Sequence, residues 1–193
     1  CDILGLKDYK RRIENRIARR YGKEGIESLS KLVDLKNKKV LDVGSGCGEF
    51  IFEAVLKGAK GYGVEPEKEG LEISKLLFKI HKKKVTLKQS FAEDLPFEDN
   101  TFDVIISNST IEHVRDPEKA LKEMVRVLKP KGVIWLKCPN FIYPLERHYK
   151  KFYIPLLPNW IQQKYFNFVS GKKSKYYYSL NEITPFFVLK FLR

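Results

Sequence analysis

The stretch VLDVGSGCGEF, residues 40–50, limits what this chain can fold into more than any other. Three glycines, Gly44, Gly46 and Gly48, stand at every second position behind an apolar run that carries one acid, Asp42. A strand that opens into so many glycines brings backbone close to a ligand or to another segment, because glycine adopts left-handed dihedrals and presents no Cβ. In open α/β sheets such a loop lies beyond the carboxyl ends of the strands, where ligands bind. The spacing excludes two common ligand classes. A dinucleotide fingerprint places its third glycine three positions after the second, whereas Gly48 follows Gly46 by two. No Lys-Ser/Thr pair follows, so the phosphate loop of nucleotide hydrolases is absent as well. The pattern D-x-G-x-G-x-G from Asp42 to Gly48 points to an adenosine ligand with a compact cationic tail.

The sequence around the loop alternates between short apolar runs and segments of helical period. Strands are predicted at 40–43, 61–66, 85–91, 102–108 and 132–139. Helices are predicted at 49–57, ended by Gly58, and at 67–80, with Leu71, Leu77 and Ile80 on one face. A further helix begins at Asp116–Pro117, with the acid as N-cap and proline where its missing N–H costs nothing. Ala120, Leu121, Met124, Val125 and Leu128 form its expected buried stripe, and Pro130 is its expected stop. Strand–helix alternation of this kind gives a doubly wound parallel sheet with right-handed crossovers. Ahead of this core, residues 8–21 and 24–35 read as two helices interrupted at Tyr21–Gly22. Behind it, residues 141–178 are aromatic-rich and broken by Pro144, Pro155 and Pro158, which reads as an inserted cap. Residues 179–193 hold a closing helix that opens at Thr184–Pro185. The chain of 193 residues is therefore expected to be one domain, with 1–39 as N-terminal helices and 40–140 as the ligand-binding core.

Charge is unevenly spread along the chain. Residues 1–39 hold 12 Lys/Arg and 6 Asp/Glu, residues 40–140 hold 16 of each, and residues 141–193 hold 9 and 2. Both flanks are thus basic around a neutral core, and 15 of the 25 aromatic residues lie after residue 140. Basic flanks attract anionic partners such as nucleic acid, phosphorylated metabolites or anionic lipid, or else are simply solvated. Cys1, Cys47 and Cys138 share no C-x-x-C spacing, so no metal site is expected and a reducing, cytoplasmic setting is the default. No stretch of about 18 uncharged apolar residues exists, which excludes a transmembrane segment of helical type.

VLDVGSGCGEF, GVEPEKEGLEISK and FAEDLPFEDNTFDVIISNSTIEHVRDPEKALKEMVRVLKPKGVIWL together resemble, in order and over residues 40–139, the class I S-adenosylmethionine-dependent methyltransferases of the type 11, ubiquinone-biosynthesis-like branch. The resemblance implies a Rossmann-like methyltransferase fold with S-adenosyl-L-methionine as cofactor. Gly44, Ser45, Gly46 and Gly48 would let backbone approach the methionine part of the cofactor. Asp42 would hold the loop and the cofactor's polar groups, or only cap the loop. Glu65, ending the second strand, would accept both ribose hydroxyls, and Pro66 would lie against the adenine. Ala92 and Glu93 would meet the adenine edge, where the sequence departs from the family by placing Phe91 at a position often held by Asp. Asn108 and Ser109 would contact the methionine portion.

That resemblance also frames the expected chemistry. Methyl transfer goes to a small-molecule acceptor through O, N or C, with a glycan- or lipid-related metabolite as one loose analogy. His113 or His148 would serve as general base where the acceptor must lose a proton, since imidazole titrates near neutrality. The alternatives are an RNA or protein methyltransferase using the basic flanks, and a cofactor-binding scaffold without activity. Against the nucleic-acid reading, NSTI follows strand four in place of an N/D-P-P-Y/F motif. The family's sheet usually has order 3-2-1-4-5-7-6, yet only five strands are readable here, ordered 3-2-1-4-5, and the terminal antiparallel hairpin is expected to be missing. Strand five is then an open edge, to be covered by a native C-terminal segment outside this sequence, by the cap, or by a second subunit. The oligomeric state is not readable.

Overall fold

A computed structural model describes residues 21–139, 145–146, 151–152, 161, 164, 181 and 183–191. The first described element is α1 (Tyr21–Ser30), followed by β1 (Lys39–Val43), α2 (Glu49–Leu56), β2 (Lys60–Val64) and α3 (Lys68–Ile80). Then come β3 (Val85–Lys88), β4 (Phe102–Asn108), α4 (Pro117–Val127) and β5 (Leu128–Lys137). Two short strands, β6 (Leu145–Glu146) and β7 (Lys151–Phe152), pair with each other, and α5 (Pro185–Leu189) ends the described chain. The five long strands form one sheet of order β3-β2-β1-β4-β5, parallel at every pairing. This is the predicted topology. Among the described residues β5 pairs with β4 alone, so it is an edge of the sheet.

Side chains alternate across the sheet, and each face carries its own core. On one face Val40 and Ile106 pack with Ile26 and Leu29 of α1, Ile51 of α2 and Leu77 of α3. On the other, Leu41 and Ile105 pack with Leu121 and Met124 of α4, and Phe187 of α5 joins them at the margin. The central strands β1 and β4 are almost wholly buried, whereas β3 alternates between half-buried and exposed residues.

Four local expectations need correction. The helix at Tyr21 is not interrupted at Gly22 but runs through it to Ser30, short of the expected residue 35. Gly22 and Gly25 are there for close packing instead, since a Cβ on Gly22 would stand 2.8 Å from the Glu49 carbonyl oxygen and one on Gly25 would strike the Phe50 ring. In α3 the buried face is Leu71, Ile73, Ser74, Leu77 and Phe78, while Ile80 is exposed. In α4 the stripe is Ala120, Leu121, Met124 and Val127, with Val125 exposed. Finally, α4 ends at Val127 because Leu128 is already extended, two residues before Pro130. Strand β5 thus starts earlier than expected and contains the proline. It tolerates Pro130 through a bulge: Phe102 aligns with Leu128 but Val104 with Val133, and Lys131 within the bulge has φ +66°.

Candidate cofactor site

The glycine loop joins β1 to α2 at the carboxyl end of the sheet. All three of its glycines are left-handed, at φ +74°, +52° and +84° for Gly44, Gly46 and Gly48. They serve different neighbours. A Cβ on Gly44 would collide with the Thr110 side chain, and one on Gly48 with Ser74. At Gly46 a Cβ would meet nothing within 4 Å. Gly44 and Gly48 therefore let protein pack on protein, and Gly46 alone faces open space. Ser45 is buried, its N–H and that of Gly44 both donate to the Val64 carbonyl at 2.9 Å, and its side chain packs toward Gly63 on β2.

Glu65 closes the arrangement from β2. Its Oε2 accepts from the Gly46 N–H at 2.8 Å and its Oε1 from the Glu67 N–H at 3.0 Å. These two bonds tie the loop to the start of α3 and leave further lone pairs on the carboxylate. Beside it is a cavity of about 290 Å³ lined by Gly46, Cys47, Glu65, Glu67, Glu69, Gly70 and Ile73. Three carboxylates and no basic side chain surround this space, which repels a phosphate or pyrophosphate and suits a cationic ligand. Gly70 matters here because a Cβ on it would stand 3.1 Å from the Gly46 carbonyl oxygen, so its absence lets α3 lie against the loop.

Asp42 sits beneath the loop, only 2 % exposed. The backbone N–H of Ile51, in the first turn of α2, favours its ionised form. The residue thus places a carboxylate near the first turn of a helix whose own N-cap, Gly48, has no side chain to offer. Its Oδ2 has no hydrogen-bond partner. Burial, reinforced by the nearby charges of Glu65 and Glu49 and opposed by the Ile51 N–H, raises its pKa to about 7.

The remaining predicted residues lie around this centre without lining the cavity. Pro66 follows Glu65, and its carbonyl accepts from Gln89 Nε2 at 2.8 Å. Ala92 is buried in the core of the α4 face. Glu93 uses Oε1 to accept from the N–H groups of Arg115 and Asp116, at 2.7 and 3.3 Å, which anchors the turn ahead of α4. The exposed Phe91 has the Arg115 guanidinium 5.0 Å from its ring centre. Asn108 ends β4, and Ser109 beyond it is left-handed at φ +54°. His113 is exposed in the turn between β4 and α4, and its backbone N–H donates to the Thr110 carbonyl. His148 and most of the expected cap, 141–178, lie outside the described residues.

Sequence reasoning missed Thr110, Ser74, Gly70 and the acids Glu67 and Glu69. Thr110 Oγ1 donates to the Val43 carbonyl at 3.1 Å and fills the place a side chain at residue 44 would take. The available signal was Gly70, an isolated glycine in a helical pattern that marks a close approach. Cys138 is no thiolate candidate, because burial and the neighbouring Glu112 push its pKa up to about 11.

Residues 41–136 match a methyltransferase-domain family profile. The demethylmenaquinone methyltransferase of Staphylococcus aureus is 32% identical over 161 residues, covering 72% of this chain and 65% of its own. This chain therefore spans less than two thirds of that relative's length. A putative sarcosine dimethylglycine methyltransferase from Galdieria sulphuraria superimposes with a TM-score of 0.56 at 27% identity, over 60% of this chain and 44% of its own. A putative methyltransferase from Bacillus halodurans has the same fold, with a TM-score of 0.64 at 22% identity over 86% and 65% of the two chains.

Proposed function

We propose, for a chain whose residues 41–136 belong to the class I S-adenosylmethionine-dependent methyltransferases, that it methylates a small-molecule acceptor. The observation that carries this reading is the acid-lined cavity at Gly46, with the Glu65 carboxylate held at its wall by two backbone N–H groups. S-adenosylmethionine bears a cationic sulfonium and an ammonium, and the chemistry of the residues present fits it. Glu65 would take the ribose diol with its remaining lone pairs, and the Gly46 backbone would allow the amino-acid tail to approach. Asp42 would act through the loop it caps, with Gly44, Ser45 and Gly48 shaping that loop. Pro66, Ala92 and Glu93 would border the adenine, and Asn108 and Ser109 the methionine end.

The cofactor supplies a methyl group on sulfonium for in-line displacement. The protein's part is alignment and exclusion of water. His113, just beyond β4, would accept the proton of an acceptor hydroxyl, amine or acidic carbon, with His148 as the other candidate. The name of the Staphylococcus relative and the concentration of aromatic residues in 141–178 favour an aromatic or amphiphilic acceptor of quinone or lipid type. The decisive experiment is turnover of methyl-labelled cofactor against a metabolite extract, with the labelled product identified by mass. Transfer to a small amphiphile supports the reading, and label appearing only in RNA or protein overturns it.

A further inference from the structure

Helices α1, α2 and α3 all end at the amino end of the sheet's strands, opposite the glycine loop. The turns that follow them, residues 31–39, 57–60 and 79–84, hold ten lysines and one acid, Asp34. These turns lie side by side. The Asn37 N–H donates to the Gly58 carbonyl at 2.9 Å and the Lys60 N–H to the Lys38 carbonyl at 2.8 Å. A groove of about 870 Å³ connects the second turn to the third, with Phe78, Val85 and Leu87 among its walls. Lys60, Lys79, Lys83 and Lys84 border the same groove. Among the described residues none of these four lysines, nor Lys57 or Lys82, forms an ion pair. Lys82 even occupies the left-handed position after α3, at φ +51°, where glycine is the usual residue.

Lysines near helix C-termini complement the helix dipoles, and that accounts for part of the cluster. It does not account for the aliphatic side chains beside them. Leu32, two residues beyond α1, and Leu56 and Ile80, the last residues of α2 and α3, are 74%, 50% and 54% exposed. Nucleic acid would use the lysines and gain nothing from the aliphatics. A lipid surface uses both, drawing lysines to anionic headgroups and aliphatic side chains into the acyl boundary.

We infer that this lysine- and aliphatic-bearing edge docks on an anionic lipid bilayer. Among the described residues charge sets the orientation: the acid-lined cavity at Glu65, Glu67 and Glu69 lies at the opposite end, which anionic headgroups repel. The docked chain thus turns its cofactor cavity away from the bilayer. The inference rests on this end of the sheet alone, and with the cavity so turned an acceptor of lipid type has to leave the bilayer to be methylated.

Co-sedimentation of the full chain with vesicles tests it. Phosphatidylcholine vesicles containing roughly one third phosphatidylserine are expected to bind the chain at least about tenfold more tightly than phosphatidylcholine alone. Substituting Lys82→Glu, Lys83→Glu and Lys84→Glu together is expected to weaken that binding on the order of 100-fold. The pair Leu56→Ser and Ile80→Ser is expected to weaken it about tenfold, with circular dichroism and cofactor affinity unchanged in both variants. Equal binding to both vesicle types, no binding, or full binding by the triple variant would overturn the inference. Retention of duplex RNA by the serine variant, without vesicle binding by the unsubstituted chain, would assign the edge to nucleic acid instead.

Discussion

Asp42 lies one residue before the end of β1 and Glu65 one residue beyond the adjacent β2, and each leads to a separate measurement. Glu65 lines the cavity and also holds the Gly46 N–H. Glu65→Ala is expected to cost about 1.5–3 kcal/mol of cofactor affinity, the range for hydrogen bonds to a charged group. Calorimetric titration with unchanged affinity would remove Glu65 from the site. The glycines divide in the same way. Gly44→Ala drives a Cβ into Thr110 at a left-handed position, so the expected loss of folding stability is about 2 kcal/mol or more, read from denaturant melts. Gly46→Ala meets no protein atom and should lose only about 1 kcal/mol of stability while weakening cofactor binding more strongly. Asp42 governs pH dependence. Its folded pKa of about 7 exceeds its ordinary 3.8, so between those values the folded chain holds a proton that the unfolded chain releases. Stability from this group is full at low pH and is lost as pH rises from about 4 to 7. Asp42→Asn is expected to flatten that loss, narrowing the gap in melting temperature between pH 5 and pH 8.

At the scale of elements, the strands of the core were legible because their apolar runs are short, β-branched and bounded by turn residues. β4 falls at 102–108 as expected, and α4 starts at Asp116–Pro117, where the Asp116 carboxylate accepts from the Lys119 N–H at 2.9 Å. Removing that cap by Asp116→Ala is expected to cost about 1 kcal/mol in thermal or denaturant unfolding. The misplaced boundaries have tertiary causes. The segment at 85–91 looked like one long strand because Phe91 is apolar, yet β3 stops at Lys88 and Phe91 is exposed beside Arg115. Gly22 looked like a helix break but is a packing contact with the first residue of α2. In the site, the glycine loop and Glu65 could be read locally. Thr110 and Ser74 could not, since their roles are to fill the space above glycines far away in sequence.

For the molecule as a whole, the zero net charge of residues 40–140 conceals a separation. Glu65, Glu67 and Glu69 gather at the carboxyl end of the sheet and Lys57, Lys60, Lys79, Lys82, Lys83 and Lys84 at its amino end, so adding charges along the chain loses the polarity that the parallel sheet creates. Stability is also graded across the sheet. Amide exchange is expected to be slowest in β1 and β4, which are buried and paired on both sides, and faster in the edge strands β3 and β5. Exchange in β5 as slow as in β4 would mean that its outer side is also paired. The acid end has one further thermodynamic consequence. Near pH 7 Asp42 is about half protonated, and a cation entering the cavity beside Glu65 favours its ionised form. Cofactor binding should therefore expel a fraction of a proton into the surrounding buffer. The apparent heat of binding would then vary linearly with the ionisation enthalpy of the buffer chosen, and Asp42→Asn would abolish the slope.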